Sequence, residues 1–429
     1  MAKFIDKIMQ NKTLKNGALF SLFSFANQGA SFVLLILLAN YIAPVEYGKL
    51  SLFNTVVMFL SYLVGFSTQG YISVSYFRKD SSRFREDFFI ISVLNIFTCV
   101  IFIIITALIN THLNDWIGIS SFLIYISIFI VFFQTEYQML LNYYRIKEEI
   151  LNYGLLCCIF ICLNFVVTLL LVITFDLNWI GRIYAYLFST LLTGLFSIFY
   201  FQNKNLYILC FKWHNIKEII KWGLPIIPLH ISVWLRQGVD RFIINNSYEL
   251  EDVGLFSFSL NLMSVIVMLG SAFNASNSVS IYKILSSKST SHSKFSELKK
   301  QTSNIRNIYI ISCIIISLFI VIFVPILLPK YSQSTTYFML LAGAGFLQCL
   351  YFLYCNYLYY YNKNKQIMYI MIISSLLHLS FSILLTKISL YVLCLIYILS
   401  QFFVYYSVKK IALYTLKKEL FNEKSITCD

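Results

Sequence analysis

Apolar runs of about 20 residues recur along the whole chain, with short polar segments between them. Each run is long enough to cross a hydrocarbon core about 30 Å thick as a helix. About twelve such spans are legible: 17–39, 51–73, 88–109, 118–140, 151–174, 179–201, 223–245, 255–281, 308–328, 336–360, 367–386 and 389–408. Lipid offers no partner to a backbone N–H or C=O, so an isolated apolar run spans it only as a helix. The pattern predicts an all-α integral membrane protein of about 12 transmembrane helices. The segments expected on one side, at about 40–50, 110–117, 175–178, 246–254, 329–335 and 387–388, are too short to hold a soluble domain. On the other side the longest are 202–222 and 282–307.

Composition agrees. Of 429 residues, 59% are hydrophobic and 12% charged. A soluble domain carries about twice that charged fraction. The net charge of +14 raises nucleic acid as a partner. The placement of the basic residues argues against it. Alternate segments carry 27 of the 33 Lys and Arg residues, from Lys3 to Lys424, and the opposite loops only Lys49, Lys330 and Lys387. Such asymmetry places the basic segments and both termini in the cytoplasm, with an even number of spans. The N-terminal MAKFIDKIMQNKTLK is basic and amphipathic and lacks a small-residue cleavage site, so it reads as a retained anchor. Trp116, Trp179 and Trp213 fall near the expected interfaces. Eight of the ten cysteines lie in apolar spans, and Cys210 and Cys428 in basic segments. They suggest neither a disulfide framework nor a metal site.

An offset of 206 residues relates the two halves. Lys15 and Gly17 match Lys221 and Gly223, and Asn40 matches Asn246. Glu46-Tyr47-Gly48 matches Asp252-Val253-Gly254, and Ser51 matches Ser257. The expected organisation is a six-helix lobe at 1–201, a linker at 202–222, a second six-helix lobe at 223–408 and a basic tail at 409–429. Repeated halves with a substrate path between them are a common transporter build.

The seventh span, Gly223 to Asn245, carries Arg236, Asp240 and Arg241. Charges at that depth face a bundle interior, a cavity or a partner. Read as one helix, it places His230, Arg236, Gln237, Asp240 and Arg241 within an arc of roughly 140°. Arg236 and Asp240 are four apart and can partly neutralise each other. Asp240 and Arg241 can also reach an interface by snorkelling. Pro225 and Pro228 weaken the start of the helix. The first span shows an uncharged polar stripe, Ser21, Ser24, Asn27, Gln28 and Ser31. Glu136, in the fourth span, reads either as a cavity residue or as a satisfied interfacial carboxylate. Arg182 reads as a snorkelling residue near the outer face, and His378 as a packed, hydrogen-bonded histidine. The tyrosines at 351–361 either line a sugar path or anchor an interface.

No G-x-x-x-x-G-K-[ST] loop or H-E-x-x-H helix is present, and no cofactor or metal motif. The short outer loops disfavour a glycan polymerase or glycosyltransferase, and transport is preferred over catalysis.

The Ala43-Pro44-Val45-Glu46-Tyr47-Gly48 turn and the seventh-span pattern Gly223-Leu-Pro-x-x-Pro…Trp234…Asp240-Arg241-Phe242 resemble the Wzx-type polysaccharide flippases of the multidrug/oligosaccharidyl-lipid/polysaccharide exporter superfamily. The resemblance covers the whole chain. It implies two six-helix lobes around a cationic cavity in the cytoplasmic (inner) membrane. The cargo it implies is an undecaprenyl-diphosphate-linked oligosaccharide, moved between leaflets by alternating access and coupled to an ion gradient. Arg236, Arg241, Asp240, Gln237, His230, Asn27 and Gln28 are the expected substrate contacts, with Asp240 and Glu136 the coupling candidates. Expected partners are the bilayer and, in glycan assembly, polymerase and chain-length proteins. The competing reading is a drug/cation antiporter of the same superfamily, which would favour acidic cavity residues.

Overall fold

The computed structural model describes residues 12–109, 117–208 and 212–422, and every element among them is helical. Ten helical stretches are long and apolar enough to cross a membrane: Pro44–Arg78, Ser81–Leu108, Ser121–Ile146, Ile150–Thr174, Asn178–Asn203, Leu250–Ser286, Ser291–Leu327, Ser334–Tyr360, Asn364–Leu385 and Leu390–Phe421. They coincide with ten of the twelve expected spans. The first expected span falls in α1 (Lys12–Tyr41), whose Gly29–Tyr41 portion is apolar. The seventh is broken. Trp116 lies outside the described residues.

The chain forms two compact units, Met1–Ile231 and Ser232–Asp429. The first contains α1, α2 (Pro44–Leu63), α3 (Tyr71–Arg78), α4 (Ser81–Leu108), α5 (Ser121–Ile146), α6 (Ile150–Leu169), α7 (Asn178–Asn203) and α8 (Trp213–Gly223). The residues expected as a linker belong to this unit. Leu206 and Ile219 are buried in its core, with Tyr207 and Trp222 against it. Amphipathic α8 is fastened by charge as well: Lys79 bridges Asp87 and Glu218, each at 2.9 Å, and Lys212 meets Glu86 at 3.1 Å. α9 (Ile227–Gln237) starts in the first unit. The second unit continues with α10 (Asp240–Ser247), α11 (Leu250–Ser286), α12 (Ser291–Leu327), α13 (Ser334–Tyr360), α14 (Asn364–Leu385) and α15 (Leu390–Asn422). α15 runs past residue 408 as a helix, with Leu416 and Leu420 buried.

The 206-residue offset reappears in the helix boundaries. α1 ends at Tyr41 and α10 at Ser247, and α2 starts at Pro44 and α11 at Leu250. Gly48 and Gly254 are both buried, as are Ser51 and Ser257. The second copy of the turn is capped by Glu249 and Asp252, which satisfy each other's backbone N–H groups.

Exposed surfaces identify the lipid side. α12 shows Ile311, Ile314, Ile315, Leu318, Phe319, Ile322, Phe323 and Ile326. An apolar patch that large on a monomer has to be covered. On a membrane-spanning helix such a face suits hydrocarbon.

The second span is interrupted between α2 and α3. Gly65, Phe66 and Ser67 stand in the left-handed region at φ 64°, 51° and 55°. A break at membrane depth survives only where side chains satisfy the freed backbone. Thr98 Oγ1 accepts from the Gly65 N–H at 2.9 Å, and the Ser67 hydroxyl donates to the Tyr62 carbonyl at 2.8 Å. A Cβ at Gly65 would meet the Asn95 side chain, so glycine is required there by space as well as by φ.

Candidate functional site

The first unit lines an open polar cavity of about 410 Å³. That lies within the roughly 300–1,000 Å³ usual for ligand sites. It draws Ser31 from α1, Asn54 and Ser61 from α2, Gln134 and Gln138 from α5, Asn164 from α6, and Arg182 and Tyr186 from α7. Arg182 is its cation. Its Nη1 donates to Asn164 Oδ1 and, at 3.1 Å, to Thr168 Oγ1. The guanidinium lies over the Tyr186 ring, 5.5 Å from its centroid. Asn164 and Thr168 are one turn apart, so a single face of α6 supplies both acceptors. The Gln134 Oε1 is buried without a hydrogen-bond partner. Among the described residues no carboxylate lines the cavity. A fixed cation among amides and hydroxyls suits an anionic, hydroxyl-rich ligand.

Arg182, expected at an interface, instead lines this cavity. Ser31, the last member of the first-span stripe, also lines it. The side chains of Asn27 and Gln28 lie outside the described residues. Asn164 and the Gln134–Gln138 pair belong to no sequence motif. The signal available is polar residues four apart inside otherwise apolar spans.

The seventh-span residues do not share one continuous helical face. A 3-10 turn at Leu224–Ile226 follows Gly223, where Pro225 and Pro228 are expected to weaken the helix. A second break follows Gln237. The Val239 N–H bonds the Trp234 carbonyl five residues back, and Arg241 and Phe242 then bond only three residues back. Gly238 permits this, because a Cβ there would lie 2.8 Å from the Trp234 ring. The helical phase assumed between Arg236 and Asp240 is therefore lost.

His230 belongs to the first unit, stacked on Tyr62 at 4.7 Å with Nδ1 3.2 Å from Ser67 Oγ. The other four belong to the second unit. Asp240 is paired with His378, whose Nε2 lies 3.1 and 3.0 Å from its two oxygens. The expected Arg236–Asp240 pair is thereby corrected: a partner on α14 outcompetes one four residues away across a break. Arg236 is 4% exposed, with Nη2 3.2 Å from the Met371 sulfur and Nε without a partner. Arg241 donates to the Gln237 carbonyl and to Ser257 Oγ at 3.2 Å, so neither Asp240 nor Arg241 snorkels from a straight helix.

Glu136 is buried in the first unit and accepts from Asn95 Nδ2 at 3.0 Å and Ser92 Oγ at 3.2 Å. Ser92 Oγ in turn lies 3.1 Å from the Tyr207 hydroxyl. Glu136 is therefore hydrogen-bonded inside the first unit and does not line the polar cavity. Tyr351 and Tyr357 are buried, whereas Tyr359 is exposed.

Two units of membrane-spanning helices joined through a broken seventh span make up a fold that solved membrane transporters share. A solved inward-facing multidrug resistance transporter of the MATE family superposes with a TM-score of 0.67 at 14% identity, covering 95% of this chain and 96% of that one. A MATE transporter in a bent conformation gives 0.63 at 12% identity, covering 98% of each chain. A superfamily transporter from Pyrococcus furiosus, described as having a binding pocket of reverse polarity, gives 0.57 at 14%, covering 94% and 96%. These likenesses establish the fold. Residues 13–281 match the polysaccharide biosynthesis protein family, and the chain belongs to it. It is also 23% identical over 389 residues to the Lsg locus putative protein 1 of Haemophilus influenzae, covering 87% of this chain and 92% of that one. The resemblance drawn from the Ala43–Gly48 turn and the seventh span agrees with that assignment.

Proposed function

We propose that the chain moves an undecaprenyl-diphosphate-linked oligosaccharide repeat unit from the inner to the outer leaflet of the cytoplasmic membrane. Movement proceeds by alternating access and draws on an ion gradient, with both termini cytoplasmic. The observation that carries the reading is the Arg182 cavity, which offers a guanidinium, amides and hydroxyls and, among the described residues, no carboxylate. A guanidinium fork matches phosphate oxygens. Amides and hydroxyls match sugar hydroxyls. The lipid tail stays in the bilayer. Arg236, in the second unit, is proposed as a further contact of the cargo, since its Nε is buried without a partner. Arg241, Gln237, His230, Asn27 and Gln28 are proposed as further contacts, and Asp240 and Glu136 as coupling groups. Polymerase and chain-length proteins act downstream in this scheme.

The test is deletion of the gene followed by extraction of lipid-linked oligosaccharides. Complete repeat units accumulate on the inner leaflet if the reading holds. Unchanged pools together with drug sensitivity would instead establish a drug antiporter.

A further inference from the structure

At one end of its apolar bundle the second unit carries two cations that no carboxylate answers. Arg306 stands on α12 just before the apolar run 308–328, and Lys409 on α15 just after the run 389–408. Arg306 is exposed and Lys409 half-buried. Among the described residues neither forms an ion pair.

Packing brings the two together. α12 and α13 run antiparallel across a short connection, and Thr302 Oγ1 lies 2.8 Å from the Tyr357 hydroxyl. One turn deeper on each helix, Arg306 therefore comes beside Tyr354. Lys409 reaches the same ring from α15. Its Nζ lies 5.7 Å from the Tyr354 centroid and 5.3 Å from the Tyr405 centroid, and donates to the Tyr405 hydroxyl at 3.1 Å. The two rings are 6.0 Å apart. Arg306 and Lys409 are thus within electrostatic reach of each other and of Tyr354. Like charges gathered without a counter-ion repel. The Arg306 guanidinium makes one hydrogen bond among the described residues, to Ser303 Oγ at 3.3 Å. Its other N–H groups, the two further N–H groups of Lys409 and the Tyr405 O–H are donors that an anion with several oxygens can answer.

The surface deeper on the same two helices indicates which anion. Ile310 lies one turn beyond Arg306, followed by Ile311 and Ile314, and all three are exposed. On α15, Phe402 and Tyr406 precede Lys409, stacked at 6.0 Å and exposed. A phosphate free in solution gains nothing from these side chains. A phospholipid gains from both levels, with its headgroup at the cations and its chains over the apolar faces. Basic pockets between membrane helices bind anionic headgroups in this way.

We propose that Arg306 and Lys409 share the phosphate of an anionic membrane phospholipid, whose acyl chains run along α12 and α15. Bound there, the lipid cancels the repulsion and ties α12 to α15. The tie matters for α12, which is exposed along much of its length. The site stands whether or not the export reading holds. Only its leaflet, the cytoplasmic one, follows from the orientation proposed with that reading.

The test uses the full chain, delipidated in detergent and followed by native mass spectrometry as lipids of matched acyl chains are added. Phosphatidylglycerol should bind about tenfold or more tightly than phosphatidylcholine. Arg306→Gln and Lys409→Gln should each lose about fivefold in affinity for phosphatidylglycerol, and the double variant about 25-fold. Lys410→Gln removes an equal charge one residue away and should bind like wild type. Phosphatidylglycerol should also raise the unfolding midpoint of wild type by about 2–5 °C, and that of the double variant by less. Equal affinity of wild type for the two lipids overturns the proposal, and this comparison decides even if a variant fails to fold. An unchanged double variant also overturns it, as does an equal loss in Lys410→Gln, which would mean diffuse charge. Two further additions identify the source of the phosphate. Inorganic phosphate that protects as well as phosphatidylglycerol overturns the lipid assignment. Undecaprenyl diphosphate that displaces phosphatidylglycerol from wild type at equal concentration assigns the two cations to the cargo and overturns it too.

Discussion

Replacing Arg182 with Ala removes the cation of the first-unit cavity, and its effects on stability and on ligand binding separate. Two hydrogen bonds from Nη1 are lost, to Asn164 and Thr168. A bond from a charged donor is worth about 1.5–3 kcal/mol where fully buried. Water can enter a polar cavity of about 410 Å³ and replace both donors, and removing a guanidinium from a membrane interior recovers its desolvation. The net loss of stability is therefore about 1 kcal/mol or less. For the ligand no such replacement exists. One charge-assisted contact of about 1.5–3 kcal/mol corresponds to a roughly 10- to 100-fold loss of affinity. Arg182→Lys keeps the charge but cannot hold Asn164 and Thr168 while presenting a fork, so an intermediate loss of roughly tenfold is expected. The assay is complementation of the deletion strain at low expression. It reads surface glycan and inner-leaflet lipid-linked oligosaccharide, with membrane protein abundance checked in parallel. Wild-type glycan from both variants at equal abundance would refute the cavity role.

Three further outcomes are expected. Gly65→Ala should destabilise the first unit by about 1–3 kcal/mol, because φ is 64° and the new Cβ meets Asn95, which is itself tied to Glu136. Thermal unfolding in detergent checks this, and an unchanged midpoint would show that the break is relaxed. Glu136→Gln should move the unfolding midpoint by less than about 1 kcal/mol, since its amide oxygen can keep the bond from Asn95 Nδ2 and its N–H₂ can donate to the Ser92 hydroxyl. Hydrogen bonds from Tyr71 and Lys79 hold the Glu218 carboxyl below the usual carboxylate range. A depressed folded-state pKa gives stability that is present above the unfolded value and lost as pH falls through the folded one. The attachment of α8 should therefore weaken below about pH 4, by less than about 1 kcal/mol because Glu218 is 45% exposed. Trp222 fluorescence reports it, and Glu218→Gln should abolish the acid limb.

Much of the architecture was legible because lipid enforces it. A run such as 308–328 has no alternative to a spanning helix, and α12 covers it. The 206-residue offset was legible as well, since Glu46-Tyr47-Gly48 and Asp252-Val253-Gly254 mark the same helix start in each half. The site was less legible. Periodicity assumes an unbroken helix, and Gly238 with Val239 takes that assumption away between Arg236 and Asp240. By position alone Arg182 reads as a surface residue, because nothing local signals that Asn164 on another helix waits for it.

The sequence by itself therefore determined ten of the expected spans, how the halves repeat and that the seventh-span charges are too deep to be incidental. Apolar length and charge placement act locally, one span at a time. Only the tertiary structure decided the partners of those charges. Asp240 found His378, 138 residues away, and Arg182 found Asn164 and a polar cavity. A buried ion takes the best acceptor or donor that packing brings near it, and in a helical bundle that partner comes from another helix.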